Sequence, residues 1–170
     1  NSNNNSSSEN NKYASEDLAK DMNKDFKKAM QQEEQELYRK YQQKSREGGS
    51  YTEELNAYNE KAKAIDNVNQ NIISDDQLEA LANLPVEEYN EKLRQYAEAA
   101  VESGALTKEG AEKWIKKMSS YQSSIDNLAK NYYAYGLTTP EAMNPKYAES
   151  KTWAERVTTH MELINNDFNF

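Results

Sequence analysis

Between Ala111 and Tyr135 the large apolar side chains return at steps of three and four without a miss: Ala111, Trp114, Met118, Tyr121, Ile125, Leu128, Tyr132 and Tyr135. Residues spaced this way share one stripe of an α-helix, whereas the faces of a strand repeat at every second residue. The unbroken alternation is a heptad seam, the pattern by which helices pair. The chain has only five Gly and three Pro, too few for a many-turned sheet. The fold class is therefore all-α: a bundle of about five amphipathic helices with a long N-terminal helical hairpin.

Start and stop residues divide the chain. Ser15 is a candidate N-cap with Glu16 and Asp17 in the first turn, where the helix dipole favours acid. Leu18, Met22, Phe26, Met30, Leu37 and Tyr41 mark one stripe that runs to Gly48-Gly49. At 1.5 Å per residue this helix is about 48 Å long, enough for part of it to project or to pair with another chain. Ser50 and Glu53 have capping-box spacing, and Tyr51, Leu55, Tyr58, Ala62, Ile65 and Ile72 form the second stripe. The Gly-Gly link folds these two helices into an antiparallel hairpin. Ser74 and Gln77 repeat the capping box before Leu78 and Leu81, and Pro85 suits the first turn of the next helix. That helix carries Val86, Tyr89, Leu93, Tyr96, Ala100 and Val101 and stops at Gly104; Thr107 caps the seam helix and Gly136 closes it. Pro140 and Pro145 break the link to a last helix, which Asn144 caps and which turns Trp153, Val157, Met161, Ile164 and Phe168 inward.

Residues 1–14 read as a disordered polar leader, and 15–170 as a single helical-bundle domain. The opening Asn/Ser tract from Asn1 to Asn11 cannot bury apolar surface. It resembles the spacer that follows the lipid-modified cysteine of many bacterial lipoproteins. The resemblance implies an extracytoplasmic domain tethered to a bacterial membrane through a lipid anchor upstream of Asn1, with a cytoplasmic setting as the alternative. No apolar run approaches the length of a membrane span.

The net charge is −8, and it is uneven. Residues 1–47 hold nine basic and nine acidic side chains, residues 48–136 nine against fifteen, and residues 137–170 three against five. Without a basic block, binding to a phosphate backbone is not expected, so nucleic acid is excluded as a partner. The absence of cysteine removes disulfides, thiol catalysis and thiolate metal sites together.

Chemistry-bearing patterns are sparse. The single histidine, His160, follows Val157 at three residues, so the Glu-x-x-His pair of a di-iron bundle is absent. Oxygen donors crowd Asp66 to Glu79, but a calcium loop read from Asn67 would need Gly and Glu where Ile72 and Leu78 stand. The pairs Glu33/Glu34, Glu53/Glu54 and Glu87/Glu88 are sequence neighbours about 100° apart around a helix, and such pairs do not face one another. Ser103 to Glu109 with Lys113 resembles the short oligomerisation helix pairs of bacterial proteins, except that Gly110 replaces their aromatic; a Gly stop and a Thr cap explain the same residues. The chain is expected to be no enzyme, with no catalytic residue, metal or cofactor.

Aromatic content is the remaining signal: twelve Tyr and two Trp beside three Phe. Tyr132 and Tyr133 are adjacent and cannot both face one core. The expected function is a non-enzymatic protein-interaction domain, the mature part of an envelope lipoprotein that presents a helix face or a Tyr-rich turn to another envelope protein. The contact residues expected are Tyr132, Tyr133 and Tyr135 at the turn, and Tyr38 and Tyr41 on the outer half of the first helix. The alternatives are an intracellular or phage-derived coiled-coil protein that forms homo-oligomers, and a helical carrier of a small ligand.

Overall fold

The computed structural model describes residues 17–134, 151–158 and 161, with the side chains of 125–134 excepted. The expected leader, Tyr135, Gly136, Asn144 and the end of the last helix lie outside these residues. What is described is helical, with no strand. Helix α1 covers 17–24 and α2 covers Phe26–Arg46. Asp25 between them keeps φ −59° and ψ −18°, a local tightening toward 3₁₀ geometry. Lys28 N accordingly donates to Asp25 O at 2.9 Å, three residues back. The first helix is thus nearly unbroken as far as the Gly48 turn, where φ is +78°, a conformation glycine adopts without a Cβ penalty.

The return helix α3, Thr52–Asn67, begins one residue later than the Ser50 capping box requires. Its N-cap is Tyr51, and no side chain caps it. The second capping box does form: Ser74 Oγ accepts from Gln77 N at 3.1 Å while Ser74 N donates to Gln77 Oε1 at 2.8 Å. It opens α4, Asp75–Ala80, followed by a 3₁₀ turn at Leu81–Asn83. Pro85 is the N-cap of α5, Val86–Glu102, one position before its first turn. Gly104, at φ +80°, ends that helix. Thr107 Oγ1 then accepts from Gly110 N at 3.0 Å and starts α6, Lys108–Ala134.

Between α3 and α4 the chain makes a π-helical turn, Val68–Ile72. Ile73 N donates to Val68 O, five residues back, at 2.8 Å. The wider turn shifts the stripe by a residue, so Val68 and Ile73 are the fully buried pair while Ile72, expected on the stripe, is only partly buried. A similar exchange occurs at the start: Leu18 is 39% exposed and Ala19 and Asn23 take the inward positions.

The core gathers Phe26 and Met30 of α2, Val68, Ile73, Leu78 and Leu81, Tyr89 and Leu93 of α5, and Trp114 and Met118 of α6. Side chains of this size stabilise by about 1.5–3 kcal/mol each when fully buried. A further helical segment, α7 at 153–158, is pinned by an antiparallel bridge between Pro85 and Thr152. Val86 N donates to Lys151 O and Trp153 N to Leu84 O, both at 3.1 Å. This places Trp153 flat against Tyr89, with centroids 4.9 Å apart and planes 18° apart. The Tyr89 hydroxyl donates to Asn23 Oδ1 at 2.7 Å, so the one polar residue facing inward from α1 ties that helix to α5. Burial pushes the Tyr89 hydroxyl's pKa far up, and it stays a neutral donor.

Candidate partner-binding site

Glu33 marks the end of the packed body. Its Oε1 accepts from Lys61 Nζ at 2.6 Å and from Thr107 N at 2.9 Å, and its Oε2 from Thr107 Oγ1 at 2.6 Å. One carboxylate thereby joins α2, α3 and the N-terminus of α6, where an anion is favoured. Burial pushes its pKa up, but the hydrogen bonds from Lys61 and Thr107 and the Lys61 charge outweigh this and hold it below the usual carboxylate range. Lys61 is itself buried. Gly110 fits because it lacks a side chain: a Cβ there would meet Glu33 Oε2.

Beyond this clamp, no residue from 34 to 60 is buried. Among the described residues the hairpin continues alone as a two-helix arm, about 20 Å long for the stretch from Glu34 to Arg46 at 1.5 Å per residue. Its seam is aromatic. Tyr38 packs on Tyr58 at 5.2 Å and on Tyr41 at 6.0 Å, and Tyr41 meets Tyr51 edge-on at 5.4 Å. Two helices alone cannot close a seam over such large rings, so Tyr38 and Tyr51 remain 42% and 41% exposed. Leu37 and Leu55 are half-buried beside them. The arrangement joins large apolar area to polar tips, a combination enriched where proteins bind one another.

Of the residues expected from sequence, Tyr38 and Tyr41 come together on this arm. Tyr132 and Tyr133 lie in α6 with side chains outside the described residues, and Tyr135 lies outside them altogether. The heptad seam holds as core through Met118, and Tyr121 is 43% exposed; the side chains of its remaining members, from Ile125 on, lie outside the described residues. Sequence reasoning assigned Tyr51 and Tyr58 to the core stripe of the second helix and missed their place in the cluster. The signal was present: folding the chain at Gly48-Gly49 sets residue 58 opposite 38.

Among the described residues, no helix is long and apolar enough to cross a membrane, and no group of His, Asp and Glu is placed to hold a metal ion. Comparison with protein-family models, with curated proteins and with solved structures returns no match.

Proposed function

We propose that this chain is a protein-interaction domain whose helical arm offers its tyrosine cluster to a partner protein of the bacterial envelope, the Asn/Ser-rich leader serving as a tether from a lipid anchor. The observation that carries the reading is the aromatic seam of Tyr38, Tyr41, Tyr51 and Tyr58, with Tyr38 and Tyr51 exposed, on an arm with no buried residue. Rings held in place by one another lose little further freedom on binding, which favours affinity.

The test is co-purification from envelope extracts with the native chain and with a Tyr38→Ser/Tyr58→Ser variant. The expected result is one specific partner retained by the native chain and lost by the variant, with unchanged circular dichroism. Equal capture by both would remove the arm as the contact surface. A natural precursor without a cysteine just upstream of Asn1 would remove the anchored setting.

A second reading, the coiled-coil oligomer, is favoured by the length of the first helix, whose arm leaves Tyr38 and Tyr51 exposed for a second copy to cover. Sedimentation at high concentration separates the readings, since a strict monomer is incompatible with this one.

A further inference from the structure

Between α2 and α6 lies a groove of about 470 Å³. Its lining includes Ala29 and Gly110, two of the smallest residues on the facing surfaces, together with Trp114. Three carboxylates stand at its edges, and each already has a cation: Asp25 has Lys28 at 2.9 Å, Glu36 has Arg39 at 3.4 Å and Glu33 has Lys61 at 2.6 Å. Lys113 and Lys117 line the groove with no carboxylate partner among the described residues. They lie one turn apart on α6, where side chains are neighbours. Lys117 Nζ stands 5.7 Å from the Trp114 ring centroid, above its face.

We propose that this groove binds a small amphipathic carboxylate, its apolar body against Ala29 and the exposed edge of Trp114 and its carboxylate bracketed by Lys113 and Lys117. The volume falls in the range of small-ligand sites. Two ammonium groups with no carboxylate partner among the described residues, beside the largely buried Trp114, favour one anionic head over a neutral one. The inference uses none of the arm tyrosines and stands independently of the proposed partner contact.

The test uses the full chain labelled with ¹⁵N, whose two tryptophans give separate indole N–H signals. With 2-naphthoate as probe, the Trp114 signal is expected to shift saturably while that of Trp153, in the α5–α7 contact, stays in place. The neutral 2-naphthamide is expected to bind about tenfold more weakly, and a Lys113→Gln/Lys117→Gln variant to lose about tenfold in naphthoate affinity. Both lysines are exposed, so the variant keeps the fold, and the amide control needs no variant. No saturable shift at millimolar probe, equal binding of acid and amide, or an unchanged affinity in the variant would overturn the proposal.

Discussion

Replacing Glu33 by glutamine tests whether one carboxylate holds the base of the hairpin to α6. The substitution keeps shape and removes charge. Lys61, with 8% of its side chain exposed, loses its counter-ion. Thr107 loses an acceptor for either its N–H or its hydroxyl, since an amide carries one oxygen. Removing one partner of a fully buried pair costs about 3–5 kcal/mol, and a hydrogen bond to a charged group is worth about 1.5–3. Glu33 keeps 24% of its side chain exposed, so the lower range applies, about 2–3 kcal/mol. For a domain of this size that lowers Tm by about 4–12 °C. Urea and thermal unfolding followed by circular dichroism at pH 7 measure it. Adding Lys61→Met removes the stranded ammonium, so the double variant is expected to be less destabilised than the sum of the singles, by about 1.5 kcal/mol. A Glu33→Gln loss below about 0.5 kcal/mol, or strict additivity, would refute the reasoning.

Gly110→Ala normally stabilises a helix by about 1 kcal/mol, but here it is expected to destabilise by about 1–2 kcal/mol, because the new Cβ meets Glu33 Oε2 and lies 3.0 Å from Leu106 Cδ1; in a Glu33→Ala background the sign reverses, which chemical denaturation checks. The Glu33 carboxyl has a lower pKa folded than unfolded, so its contribution is present above the unfolded value of about 4.3 and is lost as pH falls through the folded value. Urea midpoints of the native chain and of Glu33→Gln should therefore differ by a constant amount from about pH 5 to 8 and converge below about pH 4. Trp153→Ala is expected to cost about 3–5 kcal/mol by emptying the stack on Tyr89, read as a fall in the urea midpoint.

Much of the architecture was legible because single-helix stripes obey one period. Met30, Ile65, Leu93 and Trp114 are all buried where 3.6 periodicity puts them. Gly48, Gly104, the Ser74 capping box and the Thr107 cap act as their residue types dictate. The misses lie where a non-local contact overrides the local pattern. Ile73 gains its buried place from a π turn, which no side-chain period announces. Asn23 is buried because Tyr89, far along the chain, supplies a hydrogen bond. For the site, Tyr38 and Tyr41 were legible as outlying members of a long helix. Tyr51 and Tyr58 were not, because a seam residue looks the same in sequence whether two helices or four surround it. The role of Glu33 was hidden for the same reason: its charge reads as a solvated face until Lys61 and Thr107 arrive from other helices.

The clamp at Glu33, Lys61 and Thr107 divides the molecule into regions under different constraints. Inboard of it, each side chain answers to several others, and most changes threaten folding. Outboard, the two helices answer mainly to each other. Backbone amides between residues 34 and 60 should exchange with solvent long before those of α5 open, because melting the tip exposes little that the body needs covered. Substitutions at the tip can therefore accumulate, residue by residue, while the rest of the protein stays folded.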